Sequence, residues 1–351
     1  MARIVVAGAG ATGASIVYHL ALLGAREVVL CDVREVAGGS TSRAMGGVRQ
    51  QFSTASEVRL AQASIRFFAE LGAPLFEQVG YLFVATTEAG LAELEERREL
   101  QSGLGVPVER VDPREVPGLS VEDVLGAVTC RQDGVADPAG VCREVVRRAV
   151  DLGVEVVEGV DALDIERDVL VIACGPWSRE VAETVGVQLP IRPLCRQLVD
   201  TAPVPLLPER LPMVIEAETG FHFRRTPNGG LRLAMGEAVP RWGFATDVEE
   251  ALVTDWLGRL ARRYPPAAGV AVDRAWAGLY DMTPDAHPIV GRVAERVYAA
   301  CGFSGHGFMQ SPAVGRALAE EILQGESELD LTPFRLERFG EDAVFPETLV
   351  L

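Results

Sequence analysis

The chain has 351 residues, of which 48% are hydrophobic, and this length exceeds what one ordinary hydrophobic core serves, so we expect two domains. The net charge of −17 argues against binding to nucleic acid or to an anionic membrane. No apolar run approaches the roughly 18 residues of a membrane span, and the N-terminus lacks a signal-peptide pattern. We therefore expect a cytoplasmic protein without an integral membrane segment.

Cysteine and lysine usage narrows the chemistry. The six cysteines are scattered without a Cys-x-x-Cys pair, which predicts buried free thiols rather than a disulfide framework or a zinc site. The chain contains no lysine, and all 33 basic residues are arginine. Lysine is therefore excluded as a Schiff base, a general base or a point charge.

The N-terminal segment has the pattern of a dinucleotide-binding unit. A short apolar strand pattern precedes Gly8, Gly10 and Gly13, and helical spacing follows them. In this arrangement Gly8 permits a tight turn, Gly10 lets the backbone approach a pyrophosphate, and Gly13 allows the helix to pack closely on the strand. The phosphates lie at the helix N-terminus. A second strand ends in Asp32, whose carboxylate can accept a hydrogen bond from a ribose hydroxyl.

The remaining elements follow in chain order. Helices are predicted up to about residue 71 and over 88–103, 137–150 and 247–264, and strands over 80–86, 154–157, 169–174, 221–224 and 231–235. Asp137 and Pro138 suit the N-cap and the first position of their helix. The six prolines of 188–214 predict extended edge structure, and 227–230 predicts the turn of a hairpin. A last helix is expected after Pro312.

A second glycine-rich segment, Cys301–Phe308, can serve the reactive end of the dinucleotide. We expect an α/β fold with a Rossmann-like nucleotide-binding domain and a second, α+β domain that is mostly antiparallel and binds the substrate. The nucleotide domain is predicted from 1–78, 137–186 and 272–351, and the substrate domain from 79–136 and 187–271. Ligands are expected in the crevice between them.

Seven motifs in this order span nearly the whole chain: Gly8–Gly13 with Asp32, Gly38–Arg43, Gly46–Arg49, Asp133–Pro138, Ala173–Ser178, Gly278–Asp285 and Gly302–Phe308. With these motifs the chain resembles the FAD-dependent D-amino-acid-oxidase-like superfamily. The likeness is closer to the branch that contains sarcosine oxidase, glycine oxidase, dimethylglycine dehydrogenase and the proline dehydrogenase beta subunit.

The resemblance implies a bound FAD and the residues that contact it. These residues are Gly8, Gly10, Ala11, Thr12, Gly13, Asp32, Ser40, Thr41, Ser42, Arg43, Gly47, Val160, Cys174, Gly175, Trp177, Gly278, Gly302, Phe303, Ser304, Gly305, His306, Gly307, Phe308 and Met309. Val160 would contact adenine, and the loop 302–308 would meet the isoalloxazine. Covalent members of the superfamily attach the flavin through a Cys where this chain has Gly278, or through a His where it has Ser42 and Arg43. We therefore expect the FAD to be non-covalent.

The resemblance also suggests catalytic residues. Arg49 would bind the carboxylate of the substrate, since a guanidinium matches the two carboxylate oxygens. His222 is either a donor or base in the pocket or an exposed histidine of a sheet. His306 is expected to contact the cofactor rather than to transfer a proton, and Tyr280 either lines the pocket or serves ordinary aromatic packing. Glu237 is a weaker candidate for recognising the substrate amine.

The activity implied is FAD-dependent oxidation of the C–N bond of a small secondary or N-methylated amino acid, of the sarcosine, dimethylglycine or proline type, to an imine. The alternatives are glycine or D-amino-acid oxidase-type activity, an NAD-linked dehydrogenase that shares only the first glycine motif, and a non-catalytic flavoprotein subunit. Efficient oxidases of this group carry lysines near the flavin where this chain has Arg232 and Met309. We therefore expect a dehydrogenase that passes electrons to a separate acceptor or a partner subunit. The alternative is that His306 or Arg49 substitutes for the lysines as the cation.

Overall fold

The computed structural model describes residues 2–340 and 346–351, so the ends of the predicted nucleotide domain at Met1 and 341–345 lie outside the described residues. The α-helices in the described part are α1 (Ala11–Leu22), α2 (Ala55–Leu71), α3 (Glu88–Gly103), α4 (Pro138–Asp151), α5 (Ser178–Thr184), α6 (Glu250–Arg263) and α7 (Gly307–Gln324). The strands are β1 (Ile4–Ala7), β2 (Val28–Asp32), β3 (Gly47–Val48), β4 (Phe76–Glu77), β5 (Tyr81–Ala85), β6 (Val108–Arg110), β7 (Gly126–Cys130), β8 (Gly134–Ala136), β9 (Glu155–Glu158), β10 (Val169–Ile172), β11 (Arg192–Thr201), β12 (Met213–Glu216), β13 (His222–Arg225), β14 (Leu231–Ala234), β15 (Val272–Met282), β16 (Ile289–Ala294) and β17 (Val297–Cys301).

The first sheet has the strand order β16-β17-β10-β1-β2-β9. Its strands pair in parallel except for the edge strand β16, which is antiparallel to β17. All four residues of β1 are apolar and buried, as expected for a central parallel strand that is covered on both faces. Helix α1 packs against α4 and α7. This sheet confirms the predicted α/β class.

The second sheet has the order β15-β11-β14-β13-β12-β5-β7-β6, and all its pairs are antiparallel except β12 with β5. A separate apolar core that contains Phe223, Trp256 and Leu260 packs on it. Strand β15 pairs with β11 from Val272 to Met282 and so belongs to this sheet. The domain boundary at residue 272 stays a prediction. A small third sheet joins β3, β8 and β4.

The prediction of edge structure for 188–214 is wrong. Strand β11 lies between β15 and β14, so it is an interior strand. Only Pro193 lies within it, at its second residue, and the later prolines follow Thr201. The N–H groups of the strand interior therefore remain available for both neighbouring strands.

The last helix begins at Gly307 rather than after Pro312, which lies inside α7. A helical proline leaves the carbonyl of the residue four positions earlier without its usual donor. Here the hydroxyl of Ser311 donates to the carbonyl oxygen of Phe308 at 2.9 Å. The N–H of Ala313 donates to Oγ of Ser64 in α2 at 3.2 Å. Side chains thus replace helical hydrogen bonds at this turn.

The predicted hairpin, the start of α4 and the buried free thiols are confirmed. Strands β13 and β14 form the hairpin, and α4 begins at Pro138 with Asp137 as its N-cap, although the Asp137 side chain does not cap it. All six cysteines are free, and five of them are buried. In the ranges that the structure describes, no helix is long and apolar enough to cross a membrane.

Candidate active site

A cavity of about 440 Å³ is lined by residues from both large sheets. Gly8 and Cys174 line it after β1 and β10 of the first sheet, and Arg196, His222 and Tyr280 line it from β11, β13 and β15 of the second. The volume lies within the range of cofactor and small-molecule sites. The cavity therefore lies where the two large sheets meet.

One end of the cavity is the N-terminus of α1. Gly10 is the N-cap and offers no side chain to cap the helix, and Gly10, Ala11 and Thr12 line the cavity. Oγ1 of Thr41 accepts from the N–H of Ala11 at 3.1 Å. The helix has no acidic residue in its first turn. An N-terminus of this kind, with its backbone donors and positive dipole end, suits a phosphate.

The structure gives a geometric reason for the predicted roles of Gly13 and Asp32. A Cβ at Gly13 would collide with the carbonyl group of Gly8, so glycine permits the close packing of α1 on the strand turn. The Asp32 carboxylate lines the cavity and accepts from the N–H groups of Ala9 and Arg34, each at 2.8 Å. A carboxylate oxygen can accept more than one hydrogen bond, so Asp32 retains the capacity to accept one from a ribose hydroxyl.

Val160 and Trp177 lie on the wall near Asp32. The Val160 carbonyl accepts from the Cys31 thiol at 3.0 Å. The Trp177 ring lies 4.1 Å from the guanidinium carbon of Arg34 and stacks with Phe244 at 5.9 Å between centroids. An aromatic face and apolar wall suit an adenine or its ribose, and the assignment of these residues to FAD stays a prediction.

Most predicted site residues share the cavity wall. They are Gly8, Gly10, Ala11, Thr12, Asp32, Ser40, Thr41, Arg43, Gly47, Arg49, Val160, Cys174, Gly175, Trp177, His222, Gly278, Tyr280, Phe303, Gly305, His306, Gly307, Phe308 and Met309. Four predicted cofactor residues lie beside the wall instead of on it: Gly13, Ser42, Gly302 and Ser304. Gly13 packs against Gly8, and Ser42 donates to the carbonyl of Gly39 at 3.3 Å.

The loop between β17 and α7 is held by β15. The Gly302 N–H donates to the Asp281 carboxylate at 2.7 Å, and the Ser304 N–H donates to the Asp281 carbonyl at 3.1 Å. Burial raises the pKa of Asp281 to about 6, although backbone N–H donors oppose the rise. Gly305 has a φ of 97°, and a Cβ there would collide with the ring of Tyr280. Glycine is therefore required for this loop to pack on Tyr280.

Arg49 is only 1% exposed and lines the cavity. Its Nη2 donates to the carbonyl of Leu349 at 2.7 Å and to Nε2 of His306 at 3.3 Å, and its Nη1 donates to the carbonyl of Gln51. Its Nε has no hydrogen-bond partner, and Arg49 has no ion pair among the described residues. Burial lowers the pKa of Arg49. The negative charges of Glu347 and Asp133 oppose this shift, but neither carboxylate forms an ion pair with Arg49. A buried cation without a directly paired carboxylate is costly, and an anionic ligand would supply that pair.

His222 is 4% exposed and lines the cavity, so the alternative of an exposed sheet histidine is wrong. Its Nδ1–H donates to the Gly220 carbonyl at 2.7 Å, which leaves Nε2 as an acceptor. Burial, together with the smaller effects of the Arg49 and Arg196 charges, lowers the pKa of His222 to about 4, although the hydrogen bond to Gly220 opposes the shift. His222 is therefore neutral at pH 7.

Tyr280 and His306 complete this end of the cavity. The Tyr280 hydroxyl donates to the Leu351 carbonyl at 2.9 Å, and burial raises the pKa of Tyr280. His306 accepts from Arg49 through Nε2, and its Nδ1 has no partner among the described residues. Burial, followed by the positive charge of Arg49, lowers the pKa of His306 well below its ordinary value. Both histidines are thus neutral acceptors rather than cations.

The segment 346–351 packs against this end. The Glu347 carboxylate accepts from the N–H groups of Ser53 at 3.0 Å and Thr54 at 3.1 Å, next to the start of α2. Leu349 is buried and Leu351 lines the cavity. This segment therefore supplies carbonyl acceptors to two predicted catalytic residues. No motif in the sequence predicted this contact.

Arg196 lines the cavity although no motif predicted it, whereas the candidate Glu237 lies outside the cavity wall. Arg196 lines the cavity from β11, and the guanidinium carbon lies 5.5 Å from the centroid of the Tyr280 ring. The Glu237 carboxylate instead makes two hydrogen bonds to Arg241, at 2.8 and 2.6 Å, and does not line the cavity. The prolines on the N-terminal side of Arg196 predicted edge structure, and no pattern in the sequence placed Arg196 on a cavity wall.

Comparison with known proteins identifies similar chains. A family model described as FAD dependent oxidoreductase matches residues 3–321. FAD-dependent oxidoreductase domain-containing protein 1 of Bos taurus is 29% identical, over 97% of this chain and 85% of its own length. Mitochondrial sarcosine dehydrogenase of Mus musculus is 26% identical over 96% of this chain but only 41% of its own length, so this chain spans less than half of that relative. The crystal structure of L-proline dehydrogenase from P. horikoshii has a TM-score of 0.91 and 28% identity, and the match covers 98% of this chain and 99% of that chain.

Proposed function

We propose that this chain, which belongs to the FAD-dependent oxidoreductase family and uses FAD, oxidises the C–N bond of a small amino acid to an imine. The amino acid is a secondary or N-methylated one. The observation that carries the proposal is Arg49, a buried guanidinium on the cavity wall without a carboxylate partner among the described residues. A substrate carboxylate would supply that partner. Arg49 lies beside His306, at the start of α7, and so next to the predicted flavin loop.

The residues present fit FAD. The uncapped N-terminus of α1 suits the pyrophosphate, Asp32 suits the ribose, and the loop before α7 suits the flavin ring. When bound, FAD supplies the acceptor for the two electrons and the hydrogen that leave the carbon next to the substrate nitrogen. Non-covalent binding is supported by Gly278, where a Cβ would lie 3.1 Å from Cβ of Arg43.

The side chains around Arg49 perform the orientation. Arg49 binds the carboxylate and so fixes which substrate carbon lies against the predicted flavin loop. The neutral His222 offers Nε2 as an acceptor for a substrate N–H, and it cannot repel an ammonium group as a charged histidine would. Tyr280 packs on Gly305 and narrows the chamber. Together these groups hold an amino acid with its amine next to the acceptor Nε2 of His222.

The names of two similar proteins support a secondary amine as the substrate. Sarcosine dehydrogenase and L-proline dehydrogenase are each named for an amino acid whose nitrogen carries two carbon substituents. We extend that class, and not a particular member of it, to this chain. Water then adds to the imine carbon and breaks the remaining C–N bond, which yields an amine and a carbonyl product.

Two side chains support a dehydrogenase rather than an oxidase. Arg232 makes two 2.8 Å hydrogen bonds to the Asp200 carboxylate, so its charge is compensated. Met309 lines the cavity and carries no charge. A fixed, uncompensated cation beside the flavin would stabilise superoxide as it forms. Neither of the two positions that carry lysine in efficient oxidases provides one here, and Arg49, next to the predicted flavin loop, is the cation that could replace them.

Anaerobic titration tests the proposed function. The purified flavoprotein is mixed with sarcosine, dimethylglycine, L-proline, glycine and a D-amino acid, and the loss of flavin absorbance is followed. We expect reduction by at least one of the first three. Reduction by glycine or the D-amino acid alone would favour the primary-amine activity, and no reduction by any member of a broad amino-acid set would favour a non-catalytic subunit.

A further inference from the structure

Arg196 is a second guanidinium on the wall of the same cavity, and one substrate carboxylate bound to Arg49 leaves it unused. It lies within β11, opposite Gly278 of β15, and its guanidinium faces the Tyr280 ring. Its Nε and Nη1 atoms are buried and have no hydrogen-bond partner in the described part of the chain. Guanidinium remains protonated and has only donors, so buried nitrogens without acceptors cost free energy that a bound anion would recover.

Acidic residues near Arg196 form ion pairs with other arginines. Glu237 pairs with Arg241 at 2.6 Å, and Asp200 pairs with Arg232 at 2.8 Å. Arg196 forms no ion pair within the described ranges, in contrast to these two arginines of the same sheet region. Arg196 therefore lines the cavity without the carboxylate partner that each of these two arginines has.

Arg49 and Arg196 act on the same chamber. Both lower the pKa of His222 through their positive charges, after the larger effect of burial, and both oppose the rise in the pKa of Tyr280. His222 and Tyr280 thus lie within electrostatic range of both guanidiniums. A ligand with one carboxylate can neutralise one of these cations, and the second cation would remain in a partly desolvated site.

We propose that the substrate carries two carboxylates, one bound by Arg49 and the other by Arg196, with the secondary amine between them. This proposal rests on the proposed function and specifies its substrate class as the N-(carboxyalkyl) amino acids. For the simplest member, N-(carboxymethyl)glycine, a C–H bond next to nitrogen breaks and its hydrogen passes to FAD with two electrons. The N–H proton is released to water as the C=N bond forms. Water adds to the imine carbon, and cleavage of that C–N bond gives one glycine and one glyoxylate.

The test uses two matched ligand pairs. N-(carboxymethyl)glycine is sarcosine with one methyl hydrogen replaced by a carboxylate, so the pair measures the second charge in turnover. Glutarate and butyrate are their carbon analogues, which contain no C–N bond, so this pair measures binding alone through the change in the flavin spectrum. Each pair is measured on the holoenzyme, on R196Q and on the control R192Q. Arg192 is exposed on the same strand and lies over Trp242.

In the wild type we expect kcat/KM for N-(carboxymethyl)glycine to exceed that for sarcosine by about 30-fold, the lower end for a buried charge pair. Glutarate should bind more tightly than butyrate by a similar factor. R196Q should remove both differences, while R192Q should preserve both. The products should be glycine and glyoxylate in equal amounts.

Three results would overturn the proposal. Equal binding of glutarate and butyrate to the wild type would exclude a second carboxylate site. Loss of FAD in R196Q would assign Arg196 to the cofactor. Retention of the preference in R196Q would assign the second carboxylate to another residue. If sarcosine or proline reduces the flavin without a dicarboxylate preference, the proposed function stands and this inference fails. If glutarate binds through Arg196 but no amine is oxidised, the site stands and the proposed function fails.

Discussion

Nη2 of Arg49 donates a 2.7 Å hydrogen bond to the carbonyl oxygen of Leu349. The guanidinium proposed as the carboxylate anchor therefore meets a neutral backbone acceptor from a segment that is distant in sequence. A carboxylate is a stronger acceptor for a guanidinium than a carbonyl is, because both partners are then charged. Substrate binding is expected to compete with Leu349 for this donor.

Replacement of Arg49 with alanine should reduce activity without loss of cofactor. Removal of one member of a buried charge pair typically costs about 2–5 kcal/mol, so kcat/KM for a carboxylate substrate should fall by about 30-fold or more. The measurement is steady-state kinetics with a dye acceptor, combined with the ratio of FAD to protein. R66A is the control, since Arg66 is exposed on α2. Normal kinetics in R49A would remove Arg49 from the binding site.

The FAD should dissociate completely when the protein is denatured. Gly278 and the pair Ser42 and Arg43 occupy the positions where covalent members carry an attachment residue, and neither glycine, serine nor arginine forms that bond. Acid precipitation should release all the yellow colour into the supernatant, where absorbance measures it. Colour that remains in the washed pellet would contradict non-covalent binding.

The reduced enzyme should react faster with a dye than with oxygen. Stopped-flow measurement of flavin reoxidation, in air-saturated buffer and with dye, gives the two rates. M309K should raise the rate with oxygen by about tenfold or more, since a cation near the flavin stabilises superoxide, whereas M309L should not change it. A wild-type oxygen rate equal to turnover would make the protein an oxidase and show that the absent lysines are immaterial.

His222 should not titrate in the functional pH range. Its pKa in the folded protein is lowered from 6.5 to about 4 by burial. The pH profile of kcat/KM between about pH 5 and 9 should therefore have inflections at the same pH values in the wild type and in H222Q. An acid-side inflection near pH 6.5 that disappears in H222Q would show that His222 titrates there.

The lowered pKa of His222 also makes the free energy of unfolding depend on pH. The unfolded chain binds more protons at His222 than the folded protein does between pH 6.5 and 4. The contribution to the free energy of unfolding is complete above pH 6.5 and is lost as pH falls toward 4. As the pH falls across this window, the free energy of unfolding measured with urea should decrease more steeply for the wild type than for H222Q. Parallel pH dependences would contradict a neutral buried His222.

The first glycine motif and the family could be predicted from the sequence because each motif is a short run of neighbouring residues. The Gly8 turn, the packing of Gly13 and the position of Asp32 depend on a strand, a turn and a helix that follow one another in the chain. The predicted superfamily and its FAD are confirmed by the family match over residues 3–321. The chemistry assigned to individual residues remains a prediction.

Other features depend on distant partners. Alternation along β13 places His222 on one face of the strand, but only the fold determines that this face is covered. Pro312 is tolerated inside α7 because Ser64 of α2 accepts the N–H of Ala313. The buried nitrogens Nε and Nη1 of Arg196 have no hydrogen-bond partner among the described residues. The sequence alone does not show this, because it does not show which groups surround Arg196 in the fold.

Tyr280 and Asp281 are consecutive residues of β15 that constrain the same loop, one by contact with Gly305 and the other by its hydrogen bond to Gly302. A slip of one residue between β15 and β11 would place the carboxylate where the aromatic ring lies and would turn every side chain of the strand to the other face. Changes of substrate range are therefore accessible through side-chain replacement but not through insertions in these strands. A directed-evolution library should vary positions 196, 222 and 280 at constant strand length.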